Sequence, residues 1–332
     1  IHFSLIMYAV GISVLFLVSL QLTVAQEDTL TLGTWNIQNF GVRKADSAYL
    51  LRKIVQIIGK HDIISVQELS NRNNEAIKKL FKELLKEFPK KQYAMVVSPF
   101  VGTGGFSEQY GVFYSDLYFH VEVLGVYPGP KQFKRNPYCV TVKPKDSGMI
   151  DFGMCMVHTA PEMAVLETNN LADVADWYRS LTGVEDVMIL GDFNCGCEYV
   201  KAKDYEQIEL YTREEFHWLV ATCADTTVKE STSCPYDRIV VAGPNMFRTI
   251  VAESTDVFNY QKWYSLNDSI AESISDHFPV NLKLKKRIRR EWNNTLYDGP
   301  KRYTSSYPRE WNNTWYGGTK RYTSSYPREW NN

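Results

Sequence analysis

The chain is poor in histidine, with six among 332 residues, and equally poor in cysteine, also six. Cys195 and Cys197 stand too close together for the usual C-x₂₋₄-C knuckle, and no second clustered pair follows, which argues against a structural zinc module. Long uncharged apolar runs are confined to the N-terminus, so the rest of the chain is expected to have no membrane partner. That first stretch, IHFSLIMYAVGISVLFLVSLQLTVAQ, starts with Ile rather than Met and has no basic flank on either side. Its apolar centre and small-residue end predict a secretory signal peptide over 1–26, cleaved near Ala25 or Gln26, and hence a secreted, extracellular protein. A signal-anchor helix is the competing reading, and the missing basic flank speaks against it.

Net charge is also nearly absent, at −1, but the two signs are unevenly placed. From Lys283 onward there are 12 Lys/Arg and 4 Asp/Glu, about +8, which leaves about −9 for the chain upstream. A basic tail on an acidic body suggests a separate anionic partner for the tail. The tail repeats with a period of 19: REWNNTLYDGPKRYTSSYP from Arg290, REWNNTWYGGTKRYTSSYP from Arg309, and REWNN from Arg328. Aliphatic residues are few, too few to offset the ordering entropy, so 285–332 is expected to be disordered. Its Lys-Arg pairs interleaved with Tyr and Trp suit phosphate contact and base stacking, on DNA or another polyanion. A solvated tail without a partner is the bland alternative. Asn267, Asn293 and Asn312 lie in N-x-S/T sequons and are candidate glycosylation sites.

What is present is enough for a large core: 44% of residues are hydrophobic and 14% aromatic. From about Leu30 to Leu284, strand and helix patterns alternate. LTLGTWNI, DIISVQEL, YAMVVS, QYGVFYS, YFHVEVLGVY, YCVTV, DFGMCMVH, VMILGD, DRIVVAG, FRTIVAE and FPVNLKL read as strands. ADSAYLLRKIVQIIGK and NNEAIKKLFKELLKEF read as amphipathic helices, as does PEMAVLETNNLADVADWYRSL, with Pro161 in its first turn and Gly183 just past its end. His217 reads as part of a helical run. Mixed strands with outer helices imply a layered α/β fold in one domain, 27–284.

Polar residues gather at the predicted strand ends, where ligand sites of α/β folds often open. Asn36 ends the first strand, Glu68 the second, and His158 another; Asp192 and Asn194 follow VMILG; Asp237 opens DRIVV; Asp276 and His277 stand in SDHFPV. Any one of them is more often a turn former or a helix cap. Six such ends carrying hard oxygen ligands or imidazoles are difficult to explain as turn chemistry. They fit phosphodiester hydrolysis: carboxylates and amides for a divalent cation, and carboxylate-oriented histidines to take and give protons. Of the five histidines past the leader, His120 (inside a strand) and His217 read as packing or surface residues. Side chains alternate along a strand, so Asp276 is not expected to be the partner of its neighbour His277.

In order and approximate spacing, LTLGTWNIQNFG, DIISVQEL, YGVFY, VHTAPE, VMILGDFNCGCEYV, ADTTVKESTSCPYDRIVVAG and ISDHFPVNLKL resemble the deoxyribonuclease I family, and the basic tail looks closest to its gamma-type branch. The resemblance implies a four-layer αββα sandwich of two packed mixed sheets, and a monomeric endonuclease acting on DNA with Mg²⁺ (or Mn²⁺) and Ca²⁺. By position, it implies a catalytic set of Glu108 with His158 and Asp237 with His277. It implies metal or phosphate ligation by Asn36, Glu68, Asp192, Asn194 and Asp276, and substrate contacts by Arg135, Tyr199 and Phe106. It further implies a structural calcium site at Asp225 and Thr227 and a disulfide between Cys197 and Cys234. The family's groove-reading arginine after QE and its loop tyrosine are Ser70 and Phe106 here, which puts tight duplex binding in question. The acidic, disulfide-bearing loop before Arg135 is replaced by VYPGPKQFKRNP, so no second calcium site is expected there. Cys139, Cys155, Cys195 and Cys223 have no counterparts and form either extra bridges or buried thiols. A related phosphodiesterase acting on RNA or a phospholipid head group, or a non-catalytic nucleic-acid binder, are the competing readings.

Overall fold

The computed structural model describes residues 29–286 apart from 103–106 and 130–131. The expected leader over 1–26, Phe106 and the repeats of the tail lie outside the described residues. Twelve strands form two six-stranded sheets. The first has the order β11 (Asp256–Val257), β12 (Val280–Lys285), β1 (Thr29–Phe40), β2 (Ile63–Leu69), β4 (Gln109–Ser115), β3 (Tyr93–Val97). The second runs β5 (Phe119–Val126), β6 (Tyr138–Pro144), β7 (Phe152–His158), β8 (Val187–Asp192), β10 (Asp237–Ala242), β9 (His217–Trp218). Each sheet is mixed, with one parallel pair near its centre: β1 with β2, and β7 with β8.

Strand alternation builds the layers. Along β7, β8 and β10, Met154, Met156, Met188, Leu190, Ile239 and Val241 pack into the core shared with the first sheet. The residues between them, Cys155, Val157, Val187, Ile189 and Val240, pack into a second core with the long helix Ala164–Thr182. A strand buried on both faces loses its polar positions, which is why VMIL and RIVVA read as continuous apolar runs. The helices are α1 (Val42–Asp46), α2 (Ala48–Ile58), α3 (Glu75–Glu87), α4 (Ala164–Thr182), α5 (Glu209–Thr212), α6 (Met246–Thr249), α7 (Tyr260–Trp263) and α8 (Asp268–Ile274). α2 and α3 cover the outer face of the first sheet with Ile54, Ile57, Ile58, Ile77, Leu80 and Leu84. The result is the four-layer αββα sandwich. Among the described residues, no helix is long and apolar enough to cross a membrane.

Three local expectations change. FRTIVAE is not a strand: Met246–Thr249 is a helical turn with Met246 buried, and only Ile250 bridges to Leu284. Its β-branched composition reflects burial rather than sheet pairing. His217 is not helical, because α5 ends at Thr212 and His217–Trp218 pairs with β10 as an edge strand. The ADSAYLL segment is two helices: Ser47 breaks it and its Oγ accepts from Leu50 N. Cys139 and Cys155 are opposite one another on β6 and β7 and are disulfide-bonded; Cys195 is a buried thiol and Cys223 an exposed one.

Candidate active site

Strand register brings the chemistry together. His158 pairs with Asp192 across β7–β8, and Asp192 pairs with Asp237 across β8–β10, so three functional side chains stand at one level of the second sheet. Gly191 makes this possible. It sits at φ +140, and a Cβ there would lie 2.0 Å from the Val157 carbonyl oxygen, so only glycine lets β8 close on β7 beside Asp192. On the first sheet, the register of β1 with β2 shifts after Asn36, and that of β2 with β4 shifts after Val66. Gln38, Asn39 and Glu68 there adopt left-handed φ of 45, 50 and 62, as does Asn194 at 46. Strained non-glycine residues concentrated at strand ends are a mark of a site whose geometry the surrounding structure imposes.

Two acid–imidazole arms meet at one atom. His158 Nδ1 lies 3.0 Å from Glu108 Oε2, and His277 Nδ1 lies 2.7 Å from Asp237 Oδ2. The Nε2 atoms of both rings lie 3.5 Å from Asp192 Oδ2. Asn36 Nδ2 donates to that same oxygen at 3.1 Å and to Glu68 Oε1 at 2.9 Å. Asp192 Oδ1 accepts from Asn194 N, while Asn194 Nδ2 donates to the Thr159 carbonyl and so holds the turn after His158. Arg135 Nε donates to Glu108 Oε2 at 2.7 Å; its Nη2 lies 3.3 Å from His158 Nε2, and its buried Nη1 has no hydrogen-bond partner.

The electrostatics follow from burial and charge. His277 is buried, which alone would lower its pKa; Asp237, then Asp192, then Asp276 overcome this and hold it well above the ordinary histidine value. His158 is also raised against its burial, chiefly by Glu108, while Arg135 pushes back. Despite its burial, Glu108 is lowered by His158 and Arg135 together. Lys44, which no motif singles out, is buried beneath the site. Burial pulls its pKa down to about 8 although Asp276 and Glu68 lie close enough to raise it. Its Nζ donates to the carbonyls of Ile37, Gln38 and Ile274, joining the end of β1 to the segment that carries Asp276.

Hard oxygens are available for a divalent cation. Asp276 Oδ1 is buried with no hydrogen-bond partner, and each Glu68 oxygen accepts from one donor, Asn36 Nδ2 or Asn39 N, with lone pairs to spare. Such a set fits Mg²⁺, which keeps several waters. Asp192, Asp237 and His277 form a second group whose ligand atoms lie within 4.8 Å of one another. Asn36 presents its amide nitrogen to the carboxylates, while its oxygen accepts from Gln38 N. Asp225 Oδ1 accepts from Thr227 N, and Thr227 bridges in sheet fashion to His277, so this loop braces the second arm. Cys197 is bonded to Cys234. Tyr199 stacks on Tyr236, ring centres 5.4 Å apart, and Tyr236 lies 6.4 Å from the His277 ring. Tyr236 was missed at the sequence level although it stands in CPYDRIV. So were Ser275, whose Oγ donates to the Asn36 carbonyl, and Tyr110, whose hydroxyl accepts from His158 N.

The endonuclease/exonuclease/phosphatase family model matches residues 33–277, and the chain belongs to that family. The chain is 38% identical to deoxyribonuclease-1 of Homo sapiens over 265 residues, which covers 77% of this chain and 93% of that protein. It is 35% identical to deoxyribonuclease gamma of Rattus norvegicus over 263 residues, covering 77% and 85%. Within the broader family, this chain is a member of the deoxyribonuclease I family. The human Nocturnin catalytic domain superposes with a TM-score of 0.53 at 14% identity, covering 77% of this chain and 94% of that one. A family protein from Leptotrichia buccalis C-1013-b does so at 0.53 and 14%, covering 77% and 99%. At that identity these two support the fold alone.

Proposed function

We propose that this protein is a secreted, metal-dependent endonuclease that hydrolyses phosphodiester bonds of DNA. The observation that carries the reading is the convergence of two imidazole Nε2 atoms on one carboxylate oxygen, each ring oriented from behind by its own buried carboxylate. Two such groups at one point can serve opposite sides of a single displacement at phosphorus.

The arms divide the work. Arg135 Nη2 can donate to His158 Nε2 only when that nitrogen is unprotonated, so this contact favours the neutral ring with its proton on Nδ1, toward Glu108. His158 is then the base, and its Nε2 takes a proton from the attacking water. Among the described residues no cation contacts His277 Nε2, which faces Asp192 and Asp276; it carries the proton that passes to the departing sugar oxygen. One phosphorus–oxygen bond forms, the other breaks, and each histidine ends in the other's starting protonation state. The unpartnered Nη1 of Arg135 is free to bind a phosphoryl oxygen. Glu68 and Asp276 would hold Mg²⁺ or Mn²⁺, which would offset the carboxylate charge facing the phosphate and polarise it. Asp225 and Thr227 are proposed to hold a structural Ca²⁺. Tyr199 and Phe106 are assigned to the bound strand, and the basic tail to retention of DNA. The leader and the Cys197–Cys234 bridge are consistent with an oxidising, extracellular setting.

The test is nicking of supercoiled plasmid by the purified protein with Mg²⁺ and Ca²⁺, compared with EDTA. Metal-dependent conversion to open circles is expected. Equal cleavage in EDTA would remove the metal from the scheme, and cleavage of RNA with DNA left intact would change the substrate.

A further inference from the structure

Next to Tyr199 lies an open groove of about 350 Å³, of whose lining the mechanism above uses Tyr199 alone. Its floor is the start of α4 and the 3₁₀ turn before it, with Met163, Val165 and Leu166; its polar rim is Glu162 and Gln207, and Tyr199 forms the wall nearest the site. Leu166 is an apolar side chain left 46% exposed on the first turn of a helix. From His277, two ring steps of 6.4 and 5.4 Å lead across Tyr236 to Tyr199. The groove therefore continues a line of π faces that begins at the acid imidazole.

Its size is at the lower end of the ~300–1,000 Å³ typical of small-ligand sites, which suits one heteroaromatic ring system. Its composition suits the same guest: an apolar floor for a ring face, an aromatic wall to stack on, and a carboxylate and a primary amide able to pair with the edge of a base. Glu162 accepts hydrogen bonds only, so it favours a base with an exocyclic amino group, and Lys134, 3.8 Å away, tempers its charge toward the backbone phosphates. We propose that this groove is a nucleobase subsite. It would hold one unstacked base of the substrate strand, one or two nucleotides from the scissile phosphate on the His277 side. This deepens, and rests on, the reading of the site as a DNA phosphodiesterase. A base can enter only after leaving its stack, so the subsite acts on single-stranded or frayed DNA and not on intact duplex.

The test uses the full chain and a short single strand with one cleavable linkage, a 2-aminopurine near it, and all other linkages blocked. Leu166→Trp fills the groove from an exposed helix position and leaves the catalytic arms untouched. The expected result is a rise in KM on this strand of at least about 5-fold, the low end of what stacking one base contributes, with kcat unchanged and plasmid nicking at the wild-type rate. An abasic residue in place of the base should give wild-type protein the same loss, and the two changes together should cost no more than either alone. Additive losses, or a Leu166→Trp enzyme with wild-type KM, would overturn the subsite. Binding is read separately by 2-aminopurine fluorescence in EDTA. Cleavage of DNA with no fluorescence change refutes the groove alone. A fluorescence change abolished by Leu166→Trp in a protein that cuts no DNA supports the groove and refutes the catalytic reading.

Discussion

His158 and His277 hold Nε2 at the same distance, 3.5 Å, from the same Asp192 oxygen, yet their settings differ one bond further back. Glu108 is shared: it faces His158 and also accepts from Arg135 Nε, so its charge is divided between the imidazole and the guanidinium and its pKa is lowered despite burial. Among the described residues Asp237 has no cation other than His277; its Oδ1 is an unpartnered buried atom, and burial, reinforced by nearby Asp192, raises its pKa. An imidazole beside a neutralised carboxylate releases its proton more readily than one flanked by carboxylates that nothing else offsets. The lesson is that near-symmetric geometry does not imply symmetric chemistry. The asymmetry comes from Arg135, which lies on the segment between β5 and β6, apart from both histidines in the chain.

The sharpest way to break that comparison is to remove each ring. His158→Ala and His277→Ala should each lower plasmid nicking by about 10²–10⁴-fold while the variants still unfold in one cooperative thermal transition. On a p-nitrophenyl phosphodiester, whose leaving group needs no proton, His277→Ala should recover most of its loss and His158→Ala should not. Recovery by the His158 variant instead would exchange the two roles. Wild-type nicking by either variant would remove it from the site. A smaller effect is expected from Arg135→Lys, which keeps the charge but loses the fork that joins Glu108 to His158. Steady-state kinetics should show a fall in kcat/KM of about 10- to 100-fold, the weight of a charge-assisted hydrogen bond. An unchanged pH profile in that variant would count against Arg135 as the source of the asymmetry.

Much of this architecture is legible in the chain because the relevant signals are local. Period-2 alternation and apolar runs mark the strands, and an acid or imidazole at or next to a strand end marks the site at Glu68, His158, Asp192 and Asp237; Asn36 instead lies inside β1, which runs on to Phe40, and His277 lies ahead of β12. The parts that are not legible depend on distance. Lys44 has the look of any surface lysine in VRKAD, and only the fold shows its Nζ buried between carbonyls contributed 7 and 230 residues away. Glu167, in the first turn of α4, accepts from the backbone N–H groups of Lys134 and Ala160 and so braces both the Arg135 and the His158 segments. Nothing in its own neighbours announces that. His217 was misread for a related reason: an edge strand of two residues carries no period of its own, and its pairing partner lies more than 20 positions away. The first five residues of SDHFPV lie ahead of the strand, since β12 begins at Val280; the segment is held by Phe278 N donating to the Thr226 carbonyl.

The same two arms should set the pH dependence of stability once metal is removed. Both histidines are raised in the folded state, so their contribution is fully present below the unfolded histidine value, about 6.5, and is lost as pH rises through the folded values. In EDTA the melting temperature should therefore fall as pH rises above about 6.5, and Lys44, lowered to about 8, opposes that fall only as pH nears its own value. The steeper share belongs to His277, the ring raised further, so His277→Gln should flatten the curve more than His158→Gln. Equal flattening by the two would erase the distinction drawn between the arms.

The smallest effect is expected from the tail, and the strand directions say why. Val280, at the start of β12, pairs with Thr34 close to Asn36, whereas Lys285 pairs with Thr29 at the other end of β1. The chain thus leaves the domain about 20 Å of strand away from the catalytic end, at ~3.3 Å per residue. The role this leaves for the tail is that of a tether for DNA. Deleting 288–332 removes 8 Lys/Arg and 4 Asp/Glu, a change of about −4 in charge. Activity on long DNA at low salt should fall several-fold, with a shallower dependence on salt concentration, because fewer counterions are released on binding. Activity on a strand of a few nucleotides, too short to touch both the tail and the site, should be unchanged. An equal loss on both substrates would mean that the tail supports the domain itself, and the separation between the end that cuts and the end that holds would fail.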